Sequence, residues 1–192
     1  MLKGHLCRFF CGVCVIATLT SCGSEENLGG GIGEFTTVSA SAVADTNRLE
    51  SDLLTGNTCS DAGSADGTLS TDIINVAVTS KALFPSGNLD LLISKITVQY
   101  QPANALTPPL PDYFISTRQT IAPGQTVSVP VAVLTDNYKF ALATRPTQSL
   151  QPCSMDMFEY YVRIVFEVSE PGGNGKTRNV TADLTLAVAD RV

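Results

Sequence analysis

The chain has 192 residues, with 12 Lys and Arg against 18 Asp and Glu, a net charge of −6, six cysteines, no tryptophan and one histidine, His5. An acidic balance excludes nucleic acid as a natural partner, since phosphate binding rests on Lys and Arg. His5 lies in an N-terminal stretch that reads as removable, so Ser-His-Asp and Cys-His nucleophile systems and His-ligated zinc, copper or iron are excluded from the rest.

In chain order, the first eight residues carry Lys3 and Arg8 with no acid, and Phe9 to Thr20 are apolar or small apart from two threonines. This charged-then-apolar layout is that of a signal peptide, and the run is about half of the ~20 apolar residues that a membrane span needs. It closes on Leu19-Thr20-Ser21-Cys22. That box resembles the site at which bacterial lipoprotein precursors are cleaved before a lipid-bearing cysteine. The resemblance implies that residues 1–21 are removed and that Cys22 becomes the N-terminus. It then carries a diacylglyceryl thioether and an amide-linked acyl chain such as palmitate, more than one chain being what stable anchoring requires. Gly23 stands where an aspartate would signal retention at the inner membrane, so the resemblance favours the outer membrane of the cell envelope.

Processing takes away Lys3 and Arg8 and no acid, leaving 10 basic against 18 acidic residues in 171, a length suited to one domain with a proper core. Cys7, Cys11 and Cys14 leave with the signal, so the C-x-x-C spacing of Cys11 and Cys14 serves neither redox nor zinc chemistry. With Cys22 lipidated, Cys59 and Cys153 remain in a compartment where disulfides persist, and they are expected to pair.

Residues 22–34 form the lipidated cysteine and a Gly/Glu-rich tether, GSEENLGGGIGE after Cys22, which cannot bury a core. Its length corresponds to an r.m.s. span of roughly 19 Å. From Phe35 to Val192 the apolar period is two rather than 3.6. Phe35 to Ala44 is a weak first strand; Ile74, Val76 and Val78 mark another, and Leu92, Ile96, Val98 and Tyr100 the next. Asp112 to Thr117 is short. Thr126 to Val133 sets four valines on one face and Pro130 on the other, which places it at a sheet edge or bulge because proline removes a ladder donor. Leu134 to Ala143 fits either a strand or a helix behind an Asp136 cap, and is read as a strand. Glu159 to Val168 and Val180 to Val188 alternate cleanly around a turn, Glu170 to Lys176, and predict an antiparallel hairpin. Lys176 there is no phosphate-loop lysine, since the turn leads into a strand.

Such short strands with Pro, Gly and Asn turns predict an all-β, immunoglobulin-like two-sheet antiparallel β-sandwich over residues 35–192. Cys59 and Cys153 precede their nearest strong strands, and no tryptophan exists to pack on them, so a true immunoglobulin domain is not expected. Ile96-Thr-Val-Gln-Tyr-Gln-Pro102, Pro108-Pro-Leu-Pro111 and Leu184-Thr-Leu-Ala-Val-Ala-Asp190 resemble uncharacterised lipoproteins of environmental Gram-negative bacteria. That resemblance implies location and fold, and no activity.

Candidate sites are few. Asp61, Asp66 and Asp72 lie in an oxygen-rich loop of the kind that binds calcium, but their spacing matches no defined calcium loop, so a solvated loop pinned by Cys59 and no metal is the expectation. Asp156 with Glu159 or Glu167 is the carboxylate pair that glycoside hydrolysis would need. Tyr100, Tyr113, Tyr160 and Tyr161 are candidates to line a groove, with Tyr160 on the core face and Tyr161 opposite. Pro108 to Pro111 favours extended polyproline conformation, readable by a partner's aromatic groove or serving as a stiff connection between sheets. The expected protein is non-enzymatic and without cofactor, held to the membrane through lipid on Cys22. It would bind or position another envelope or extracellular protein; the alternative is a module for an oligosaccharide, a peptide or calcium.

Overall fold

The computed structural model describes residues 32–59 and 67–190. The signal segment, Cys22 and the linker up to residue 31 lie outside them, as do Asp61 and Asp66. The elements are β1 (Ile32–Glu34), β2 (Val38–Ala44), β3 (Arg48–Asp52), β4 (Asp72–Ala82), β5 (Leu91–Pro102), β6 (Tyr113–Ile121), β7 (Thr126–Leu134), α1 (Asp136–Thr144), β8 (Met157–Ser169) and β9 (Thr177–Ala189). They build a four-stranded sheet, β1-β2-β4-β7, and a five-stranded sheet, β3-β9-β8-β5-β6. The two sheets close on one hydrophobic core, and the protein is an all-β sandwich. Strands β2, β4 and β7 in one sheet and β9, β8 and β5 in the other follow the immunoglobulin arrangement, with β6 added beside β5.

Local chemistry explains the strongest elements. In β8 and β9 every second residue is apolar, and the register sets Tyr160 opposite Leu186, Val162 opposite Leu184, Ile164 opposite Ala182 and Phe166 opposite Val180. All are buried, each large side chain contributing about 1.5 to 3 kcal/mol by leaving water. The turn between them reverses through Gly175 at φ +67°, a conformation that costs glycine nothing. In β7, Val129, Val131 and Val133 enter the core while Pro130 is exposed on a strand at the sheet edge, where a missing donor disrupts least.

Four expectations are corrected. Leu134 to Ala143 is not a strand: residues 136–144 are helical, and the cap is Thr135, whose Oγ1 accepts from Tyr138 N, rather than Asp136. The helix wins because Lys139 and Leu142 then point inward together, while Phe140, which a strand would have put beside Tyr138 and Leu142, is left 58% exposed. The tether gives up its last three residues, since Ile32–Glu34 pair with Ser39–Ser41, and the first long strand starts at Val38 rather than Phe35. The sandwich is not wholly antiparallel, because β3, a strand the periodicity did not show, pairs in parallel with β9. Finally, Pro108 to Pro111 joins β5 to β6, neighbours in the same sheet, and does not connect the sheets.

The molecule thus has two ends. The turns 35–37, 83–90, 122–125 and 170–176 share the turn end, tied by Leu83 N donating to Thr37 O and Leu89 N donating to Thr37 Oγ1. Helix α1, the segment 103–112 and both described cysteines share the disulfide end.

Candidate functional site

Cys59 and Cys153 form a disulfide with a Cα–Cα distance of 5.4 Å. It staples the β3–β4 connection to the α1–β8 connection rather than crossing the core. The carboxylate of Asp190, just past β9, gathers this end. It accepts from Asn57 Nδ2 at 2.8 Å, from Leu54 N at 3.3 Å and from Cys153 N. Cys59, Cys153 and Asp190 bring two sulfurs and a carboxylate within 4.8 Å, but sulfurs bonded to each other lack the thiolate character that metal binding needs.

Asp72, the described member of the calcium candidates, sits against an ammonium instead. Lys139 Nζ lies 2.9 Å from Asp72 Oδ2 and donates to Asp52 O at 2.6 Å, and Ser51 Oγ donates to the same Asp72 oxygen at 2.5 Å. Lys139 is fully buried. Asp72 is thus already paired with a cation of the chain itself. Asp61 and Asp66 lie outside the described residues.

The tyrosines divide as their alternation requires. Tyr100, Tyr113 and Tyr138 contact one another at ring separations of 5.8 to 6.4 Å, and Tyr160 meets Tyr100 edge-on at 6.3 Å. Tyr138 OH donates to Pro111 O, Tyr160 OH to Pro108 O and Tyr100 OH to Val133 O. The polyproline segment is thus held by the chain's own aromatic groove, with Leu110 buried beneath it, and it acts as a stiff connection. Burial raises the pKa of all four phenols, to about 12 for Tyr113. Each stays protonated and able to donate through the physiological range.

Tyr161 is on the other side, 55% exposed. With Asn47, Gln99, Gln101, Arg163 and Asp183 it borders an open concavity of about 870 Å³ on the outer face of the five-stranded sheet. Arg163 Nε and Asp183 Oδ1 are 2.9 Å apart. Both candidate glutamates are already in ion pairs. Glu159 is held by Arg48 at 2.8 Å and Glu167 by Lys95 at 2.9 Å. Eleven residues, nearly all of them in β8, put Asp156 roughly 36 Å from Glu167, far beyond the 5 to 9.5 Å that glycosidase pairs span.

The outer face of the four-stranded sheet has a different character. Its rows, read from the register, are Val43, Ala77 and Ser128; Asn75 and Pro130; Ile73 and Ala132. Val43 and Ile73 are 58% and 60% exposed. Lys81, at the turn end, is the one charge along β2, β4 and β7 on this face. The face runs to the open edge of β7.

At the turn end, Glu170 is buried and its carboxylate accepts from Thr36 N at 2.9 Å, Thr37 N at 3.0 Å and Thr37 Oγ1. Loss of solvation, the largest single influence, pushes its pKa up. The hydrogen bonds from Thr37 and Thr36 together outweigh it, and the carboxyl titrates below the ordinary glutamate value. A lowered carboxyl pKa contributes stability that is complete above the unfolded value, about 4.3, and is lost as pH falls through the folded value. Glu170→Gln should therefore flatten the acid side of the stability profile, with a smaller gap between urea midpoints at neutral and strongly acid pH than in the parent. An unchanged gap would assign the acid sensitivity to other carboxylates.

Neither a protein-family model nor a curated protein matches the chain. Sequence reasoning missed Lys139, Asp190 and Glu170. Two of them carried a signal: Asp190 and Glu170 each follow directly on an alternating strand, where a buried polar group can close a sheet end.

Proposed function

We propose that this is an exported, non-enzymatic lipoprotein, anchored through lipid on Cys22 in the cell envelope, whose sandwich docks another envelope or extracellular protein. The observation that carries the reading is the stretch of the four-stranded sheet's outer face from Val43 and Ile73 to the exposed edge of β7, where β2, β4 and β7 carry no charge apart from Lys81 at the turn end. An apolar patch beside an open strand edge suits a protein partner, which can add a strand to unpaired backbone groups and cover Val43, Ile73 and Ala132. Pro130 removes one donor and so limits pairing between copies. The box at Leu19 to Cys22 and the Cys59–Cys153 bridge both suit export to an oxidising compartment.

The test has two arms. Cys22→Ser should abolish palmitate labelling and leave uncleaved or mislocalised precursor; normal labelling would sink the anchor. Ser128→Glu and Ala132→Lys, both outside the valine core face, should weaken capture of envelope partners while leaving the melting temperature within a few degrees. Unchanged capture by both variants would move the docking surface elsewhere.

A second reading, a module for an extended polar ligand such as an oligosaccharide, is favoured by the concavity around Tyr161, where an exposed ring stands among amide and charged groups. Loss of glycan binding in Tyr161→Ala, with Ser128→Glu unaffected, would select it.

A further inference from the structure

We propose that the turn end of the sandwich is a second contact with an anionic membrane surface, with Lys81, Arg118, Lys176 and Arg178 facing the headgroups and Leu83 and Phe84 entering the interface. This rests on the exported, membrane-held reading above.

The first observation is a charge division along the long axis. Lys81, Arg118, Lys176 and Arg178 are all exposed, all belong to the turn end or the strand segments leading into it, and none is in an ion pair among the described residues. Among the described residues the exposed acids near them are Glu34 and Asp90, since Glu170 is buried and Glu167 is paired with Lys95. The disulfide end carries exposed Asp45, Asp112, Asp136 and Asp156, while its Arg48 is paired with Glu159 and its Arg145 donates to Pro109 O. An acidic protein whose fully exposed, unpaired cations among the described residues gather at one end presents that end to an anionic surface.

The second observation is apolar. Leu83 and Phe84, two and three residues past Lys81, are 46% and 54% exposed in the β4–β5 turn. An aromatic and a leucine beside cations is the composition that settles at a lipid interface. Leu106, Phe140 and Met155 are also exposed, but they stand at the acidic end, where an anionic surface repels.

The third is where the chain begins. Strand β1 lies near the turn end: Glu34 pairs with Ser39, one step from the Val38–Ala82 pair, and Ile32, where the described chain begins, pairs with Ser41, about 7 Å farther back. The ten residues from Cys22 to residue 31 reach at most roughly 36 Å, so a lipid on Cys22 lets this end touch the surface, and the charges and the apolar pair, rather than the tether, select it. Four cations alone give an affinity only near 1 mM. A tether supplies a local concentration of that order, which makes the contact one that orients the domain and needs the anchor.

The chain has no tryptophan, so Phe84→Trp installs a single indole at the turn end and Phe140→Trp one at the opposite end; Leu83→Trp serves should Phe84→Trp misfold. The chain from Cys22 onward is coupled through the Cys22 thiol to a maleimide lipid in phosphatidylcholine vesicles containing a brominated lipid, with or without phosphatidylglycerol. On phosphatidylglycerol vesicles, quenching at position 84 should exceed that at 140 by about threefold or more, and the excess should vanish near 1 M salt, where the Debye length is about 3 Å. It should also vanish without phosphatidylglycerol and in Lys81→Glu/Arg178→Glu. Equal quenching at both ends, stronger quenching at 140 or indifference to phosphatidylglycerol would overturn the proposal. Because the coupling is chemical, failure of Cys22 lipidation in cells is detected separately, by palmitate labelling.

Discussion

Replacing Lys139 with methionine should lower the unfolding free energy by about 3 to 5 kcal/mol, read as a fall in the urea midpoint at unchanged m-value. The side chain is wholly buried, and its ammonium meets the Asp72 carboxylate at 2.9 Å and the Asp52 carbonyl at 2.6 Å. Methionine fills nearly the same volume, so the loss reports charge and hydrogen bonding rather than a cavity. What remains after the change is a carboxylate and a carbonyl facing an apolar group. Asp72 keeps 21% of its side chain exposed, which lets water relieve part of the cost and favours the lower end of the range. Asp72→Asn on the methionine background should recover part of the loss, and the double-mutant cycle gives the coupling directly. A loss below about 1 kcal/mol would reduce the pair to the level of an exposed salt bridge.

Reduction of the Cys59–Cys153 bridge should cost at most about 4 to 5 kcal/mol, because it releases a loop with a sequence separation of 94. The native-state side of the balance is small, since the Asp190 carboxylate still holds Asn57, Leu54 and the Cys153 amide when the sulfur bond is gone. The reduced protein should therefore fold to the same sandwich with a lower midpoint, and Cys59→Ser/Cys153→Ser should match it. Without reductant, the denatured domain from Phe35 onward should show no free thiol. Two titratable thiols after oxidative export would refute the pairing, and a reduced protein as stable as the oxidised one would remove the bridge from the account of stability.

The strands that alternate apolar and polar residues were legible in the sequence, because a strand's side-chain period is local and each face is decided two residues at a time. Glu159 to Val168, Val180 to Val188 and the four valines of β7 announce both their conformation and their buried side. The cysteine pairing was legible by count, since the signal removal and the use of Cys22 that the lipobox resemblance implies would leave two thiols. Tyr160 and Tyr161 fell on opposite faces as alternation requires. Other features depended on contacts between residues far apart in the chain. Leu134 to Ala143 satisfied both periods about equally, and it became helical because only a helix turns Lys139 and Leu142 inward together, toward a carboxylate on β4 and a carbonyl on β3. Strand β3 has little alternation of its own and exists because β9 offers it a parallel edge. Lys139 looks like an ordinary solvated charge in the sequence, Asp190 and Glu170 show only their place just past an alternating strand, and the partners of the three stand between 37 and 136 positions away. A polar side chain is buried only where distant groups supply its hydrogen bonds, so its burial, unlike a strand's period, is written in the tertiary structure alone.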